Sequence, residues 1–328
     1  MPFDQAYHTV IADGTVFLGS SADCRVRALD AATGAEKWSF CTDGPVRLTP
    51  AVADGRVFVG GDDGFLYCLA AEDGHLIWKL RGGPIQSYVL GNGRIISRWP
   101  VRGGPAVADG VVYFAAGIWP SEGIYIYAVN ATSGKVIWCN DGSGTIEMPQ
   151  PHPGAVAKSG VSAHGNLVIV GDVLLVPTGR AVPAAFNLSD GKLRYFHLQR
   201  DRAFGGSEVA AGGGRFFTSG SMFDLASGTQ DKTVKGVYPW SSAITPAGLV
   251  NWRDGQIEAL GPPDAKLEAA WSVEAAYGGT SLIAAGNSIV SGGESEDKMG
   301  VAVLDVAARE VTWSTEVDGL PLGLAVSD

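Results

Sequence analysis

Charge, cysteine and long apolar runs are all scarce in this sequence. Only 18% of its 328 residues are charged, Lys and Arg form no run, and the formal net charge is −10. A surface of that sign repels phosphate backbones and anionic headgroups, so neither nucleic acid nor a membrane surface is expected as a general partner. A local basic pocket remains compatible with it. No stretch reaches the ~18 uninterrupted apolar residues of a spanning helix, so no membrane insertion is expected. The opening MPFDQAYHTV has neither a basic n-region nor an apolar h-region, and no signal peptide is visible in it. The four cysteines, Cys24, Cys41, Cys68 and Cys139, form no CxxC or adjacent pair and no zinc-type spacing with histidine. They read as free thiols in or beside strands, with a disulfide left open.

What is abundant is glycine, at 46 residues, within a composition that is 46% hydrophobic. That combination predicts many short buried strands joined by tight turns. The clearest unit is AVADGRVFVGGDDGFLYCLAAEDGHLIW, Ala51–Trp78. It reads as strand, Asp-Gly turn, alternating strand, Asp-Gly turn, alternating strand, Gly turn, and a strand ending in Trp. A two-residue hairpin turn requires positive φ, which Gly supplies at little steric cost. Four such antiparallel strands make one propeller blade. The third strand and its turn recur as ALDAATGAEKW (Ala28–Trp38), CLAAEDGHLIW (Cys68–Trp78), AVNATSGKVIW (Ala128–Trp138) and AFNLSDGKLRY (Ala185–Tyr195). A weaker copy, MFDLASGTQDK, covers Met222–Lys232, and two more end at Trp271 and Trp313. A large flat ring at a fixed place in each blade is suited to wedge between adjacent sheets.

The A-x-D-x-x-T-G-x-x-x-W pattern, complete at Ala28–Trp38, resembles the tryptophan-docking motif of the PQQ-like β-propeller repeat. That superfamily includes quinoprotein alcohol dehydrogenases and BamB-like proteins. Stretches such as GIWPSEGIYIYAV and VPTGRAVPAAF are similar to bacterial, planctomycete-type members. The resemblance implies an all-β fold, with residues 1–328 as a single propeller domain of four-stranded antiparallel blades. Seven blades are recognisable, ending near Trp38, Trp78, Trp138, Tyr195, Lys232, Trp271 and Trp313. The family's usual ring is eight-bladed, so residues 322–328 read as the first strand of a further, truncated blade. The rival reading closes a seven-bladed ring onto the N-terminus. A periplasmic or extracytoplasmic location is also implied by the resemblance.

Positions that depart from a repeat are better functional candidates than those that maintain it. Two intervals between blades are markedly longer than the rest, Gly82–Val107 and Asp141–Gly165, and both read as Gly- and Pro-rich loops. They gather polar and aromatic residues: Arg98, Trp99 and Arg102 in the first; Glu147, Gln150, His152 and Lys158 in the second. Trp119, Glu122 and Arg180 occupy turns of the same two blades. Together they suggest one pocket over blades three and four, with Arg for planar recognition of anions and Trp for stacking. Within that pocket a Trp-Pro pair is also a packing plug, and Arg98 or Arg102 is also a partner for Glu122 or Glu147. Two non-catalytic readings follow: a module for a small anionic or glycan ligand, and a scaffold for a protein partner. The alternative is a PQQ-dependent dehydrogenase with calcium, which the family resemblance alone supports. Its usual adjacent cysteines are missing, and no motif carries its calcium ligands or its base residue by residue.

Overall fold

The computed structural model describes residues 9–91, 93–150, 152–179, 181–198, 205–245, 248–261 and 269–326. The described residues are strand throughout, apart from turns, connections and one 3-10 turn at Pro120–Glu122. They fall into two compact units, residues 1–207 and residues 208–326.

The first unit holds four sheets in chain order. Blade 1 runs Val10–Ala12, Thr15–Gly19, Arg25–Asp30 and Glu36–Cys41; blade 2 runs Ala51–Ala53, Arg56–Gly60, Phe65–Ala70 and Leu76–Arg81. Blade 3 comprises Val101–Ala108, Val111–Ala116, Tyr125–Asn130 and Val136–Asn140, and blade 4 Val168–Val170, Val173–Thr178, Ala181–Asn187 and Leu193–Tyr195. Every consecutive pair within a blade is antiparallel. A short fifth strand, Gly165–Asn166, adds to the inner edge of blade 3 in parallel register, Gly103 facing Gly165.

Local chemistry accounts for the turns. Asp13-Gly14, Asp54-Gly55 and Asp109-Gly110 have positive φ at both residues, as a two-residue hairpin demands. In the second kind of turn the Asp30 carboxylate accepts from the backbone N–H of Thr33 and from its hydroxyl, and Asn130 does the same for Ser133. The glycine of this turn serves the neighbouring blade too. A Cβ on Gly74 would lie 2.5 Å from the ring of Trp38, and Gly134 and Gly191 stand likewise against Trp78 and Trp138. Each indole then donates its N–H to the next blade: Trp38 to Ala71 O at 2.9 Å, Trp78 to Ala131 O at 3.1 Å, Trp138 to Leu188 O at 3.1 Å.

Alternation along the strands divides the core between neighbouring interfaces. In blade 2, Val57, Val59, Tyr67 and Leu69 pack with Phe17 and Trp38 of blade 1. Phe58, Leu66 and Cys68 face the other way, onto Trp99, Val101 and Phe114. Both faces of the central strands Arg56–Gly60 and Phe65–Ala70 are therefore buried, which explains their near-continuous apolar runs.

The second unit holds three more sheets. They are Ala210–Gly212, Arg215–Thr218, Gly220–Asp224 and Gln230–Val237; Ser242–Thr245, Gly248–Arg253, Gln256–Ala259 and Trp271–Glu274; and Gly279–Ala285, Ser288–Ser295, Lys298–Asp305 and Glu310–Glu316. Seven antiparallel sheets of four strands, that of blade 3 extended by the short parallel strand, are thus formed among the described residues. Residues 322–326, the described part of the segment read above as the first strand of a further blade, pair with no strand among the described residues. The Pro321 carbonyl instead accepts from the hydroxyls of Thr280 and Ser281.

Candidate functional site

In each blade of the first unit the two tight turns lie at one end of the sheet. The remaining hairpin connection and the link to the next blade lie at the other, open end. Because Trp38, Trp78 and Trp138 each dock on a tight turn of the next blade, the open ends of blades 1–4 are on one side. Both long intervals are links between blades, so both rise from this side, as does the 117–124 connection of blade 3.

Neither interval is a plain loop. Each contains a two-stranded hairpin, Tyr88–Gly91 with Arg94–Ser97 and Ile146–Pro149 with Val156–Ser159. In sequence the first is carried by two short apolar stretches, YVL and II, on either side of Gly-Asn-Gly, a signal obscured by the surrounding Gly and Pro. Arg94 ties it to blade 1, donating to the Ala22 carbonyl at 2.7 Å. The second hairpin packs on the Pro120–Glu122 turn, and just beyond it Ser162 donates to the Ile118 carbonyl at 2.5 Å.

Three of the sequence-predicted residues converge. Arg98 donates to the Glu122 carboxylate at 2.8 Å, and the Trp99 indole donates to the Glu122 backbone carbonyl at 2.7 Å. Trp99 is 6% exposed and belongs to the core between blades 2 and 3, so its ring is a plug. Trp119 caps the 3-10 turn and is part-exposed. On the second hairpin, Lys158 faces Glu147 across the strands, Gln150 donates to Met148 O at 3.0 Å, and His152 stands exposed at the tip. Among the described residues no hydrogen bond or ion pair joins Gln150, His152 or Lys158 to Arg98, Arg102 or Glu122. Arg180 lies outside the described residues.

Arg102 belongs to a different, deeper cluster. Its guanidinium grips Asp62 through Nε–Oδ1 and Nη2–Oδ2 bonds of 2.9 Å each, and Arg47 Nε reaches the same Oδ2 at 2.6 Å. Asp62 is 1% exposed, and a buried carboxylate is tolerable only with such partners. The adjacent Asp63 points elsewhere, accepting from the Tyr67 hydroxyl and from the N–H groups of Asp43 and Phe65. Burial pushes its carboxyl above the usual range despite those bonds. His164 stands near Arg102, and Asn166 donates to the Thr49 hydroxyl at 2.9 Å. Partial desolvation holds the imidazole below its ordinary pKa, and the charge of Arg102 lowers it further.

Arg47, Asp62, His164 and Asn166 were not among the sequence candidates. An internal alignment carried the signal: Arg47, Arg102 and His164 stand at the same distance ahead of the first tight turn in three consecutive blades.

This cluster does not fit a calcium-held quinone. Both oxygens of Asp62 are already taken by guanidinium groups, and two arginines beside them repel a divalent cation. Among the described residues no three His, Cys, Asp or Glu side chains come together as a metal site.

A family model described as outer membrane protein assembly factor BamB matches residues 22–223. The chain is 38% identical over 136 residues to the serine/threonine-protein kinase AfsK of Streptomyces griseus, and 34% identical over 134 residues to BamB of Yersinia pestis. Each match covers 39% of this chain, which spans 15% of AfsK and 32% of BamB. Among solved structures, quinohemoprotein alcohol dehydrogenase from Comamonas testosteroni aligns with a TM-score of 0.63 at 17% identity, covering 97% of this chain and 68% of that one. A europium-containing methanol dehydrogenase aligns with a TM-score of 0.59 at 13% identity, covering 96% and 79%. At such identities these two structures establish the fold alone. With four-stranded antiparallel blades, docking tryptophans and a family match over residues 22–223, the chain belongs to the BamB-like family of PQQ-type β-propeller repeat proteins.

Proposed function

We propose that this protein is a non-catalytic scaffold that holds a protein partner on the open end of blades 1–4. One observation carries the reading: the first inserted hairpin presents apolar side chains to solvent. Leu90 is 80% exposed and Ile95 73%, with Ile85 and Tyr88 also exposed beside them. Such a concentration on a projecting element is a liability unless a partner covers it. The polar residues of the same end are committed to one another, Arg98 to Glu122 and Arg102 to Asp62, which weighs against a catalytic role for them. An extracytoplasmic setting accords with the family, and among the described residues no helix is long and apolar enough to cross a membrane.

A photo-crosslinking residue at position 90, introduced in the cell that makes the protein, tests this. A discrete adduct is expected from position 90 and none from Ser133 in a tight turn at the opposite end. Leu90→Asp combined with Ile95→Asp should abolish an adduct formed from position 88. Equal labelling at 90 and 133, or no adduct at either, overturns the reading.

A further inference from the structure

The rim formed by the innermost strands of blades 2, 3 and 4 carries a feature that protein docking does not explain. Arg47, Arg102 and His164 are equivalent repeat positions, and Thr49, Gly104 and Asn166 are the equivalents two residues on. The equivalence holds in space as well as in sequence. Gly103 and Gly104 pair in parallel register with Gly165 and Asn166, and Asn166 reaches across to Thr49. Repetition has thus set two guanidiniums and an imidazole side by side on one rim.

Asp62 neutralises only part of this. One carboxylate accepts from both arginines, which leaves one positive charge in surplus. Among the described residues Nη1 of Arg102 and both Nη atoms of Arg47 have no protein acceptor. The Arg47 side chain is 29% exposed and that of Arg102 12%, so the surplus charge is reachable from solvent while largely shielded from it. Partial burial strengthens attraction for an incoming anion. His164 is exposed on this rim, and partial desolvation and the charge of Arg102 both lower its pKa, which favours at pH 7 the neutral imidazole that offers an N–H without adding a second charge.

We propose that this rim binds the carboxylate of a small molecule, with Arg47 and Arg102 contacting the anion and His164 donating beside them. A carboxylate fits better than a phosphate for two reasons. Its single negative charge matches the single surplus positive charge, and its flat pair of oxygens matches the planar face of a guanidinium. The bond of Asp62 to both arginines holds their planes before any ligand arrives, so little ordering is left to be done on binding. This site is separate from the apolar hairpin and does not depend on it.

The test is a titration with acetate at constant ionic strength, chloride serving as the control anion. The His164 side-chain resonance and the melting temperature are the readouts. A saturable response to acetate and none to chloride is expected. Arg47→Gln leaves the Arg102–Asp62 pair in place, and should weaken acetate about tenfold, the loss of a hydrogen bond to a charged group. Arg47→Lys retains the charge without the fork and should fall between the two. Folding of each variant is checked by circular dichroism. No saturable response to acetate overturns the proposal, as does an unchanged dissociation constant in folded Arg47→Gln. Tighter binding of inorganic phosphate than of acetate overturns the assignment to a carboxylate.

Discussion

Arg102 and Asp62 stand 40 residues apart in the chain and meet through two parallel hydrogen bonds of 2.9 Å, with the carboxylate almost wholly removed from water. The pair joins the inner strand of blade 3 to a connection in blade 2. Loss of the arginine would leave a buried carboxylate with Arg47 alone. Arg102→Ala is expected to cost about 3–5 kcal/mol in urea unfolding. Arg102→Lys should recover only part of it, because an ammonium cannot make the paired contact. Full recovery by Lys would show that charge alone, and not the fork, matters here.

Trp38 and Gly74 make a second coupled pair. Trp38→Ala removes a buried ring between blades 1 and 2 and should cost about 3–5 kcal/mol. Gly74→Ala places a methyl 2.5 Å from that ring at a φ of +75°. In the wild-type background it should cost more than the ~1–2 kcal/mol of a left-handed alanine. In the Trp38→Ala background only that conformational cost should remain. Strict additivity of the two losses in denaturant titrations would argue against the docking contact.

His164 makes stability depend on pH in a defined direction. Its folded pKa lies below the ordinary value of 6.5, first because of partial desolvation and second because of Arg102. Between the two values the unfolded chain therefore binds more protons than the folded one, and stability rises with pH through that window. The contribution is fully present above about pH 6.5 and is lost as pH falls toward the folded pKa. Melting temperatures at pH 7.5, 6.5 and 5.5 should decline in that order, with a shallower decline in His164→Gln. An identical slope in the variant would assign the effect to other groups.

In the second unit, Arg309 takes the place that glycine holds in the tight turns of blades 1–4. Its φ is +55°, and its guanidinium lies 6.0 Å from the centre of the Trp271 ring. Arg309→Gly relieves a left-handed conformation and forfeits a cation–π contact of about 0.5–1 kcal/mol. The two effects nearly cancel, so the net change in stability should stay below about 1 kcal/mol. Arg309→Leu retains the strain without the charge, and should be the more destabilising of the two by the same unfolding assay.

Much of the architecture was legible before any coordinates, and for local reasons. The Asp-Gly pairs at 13–14, 54–55 and 109–110 adopt the positive φ that the dipeptide favours, and Asp30 and Asn130 organise their turns from within four residues. The two inserted hairpins were less legible. Gly and Pro around them suggest irregular loops, whereas their strands form through pairing that composition does not report. The candidate site was read only in part. Arg98, Trp99 and Glu122 do meet, yet Trp99 turned inward as core, and Arg102 joined Asp62 in another cluster. Polar side chains on successive repeats look alike in sequence whether they face a ligand, a counter-ion or solvent.

The sequence by itself determined the blade, its turns and the place of the docking tryptophans Trp38, Trp78 and Trp138, because backbone sterics and two-residue alternation act over a few neighbouring residues. Only the tertiary structure decided which charges pair and which apolar residues stay uncovered. Asp62 finds Arg47 and Arg102, and Asn166 finds Thr49 from 117 residues away, because separate blades bring their inner strands together. Electrostatic pairing depends on distances across those blades, and no local pattern encodes them.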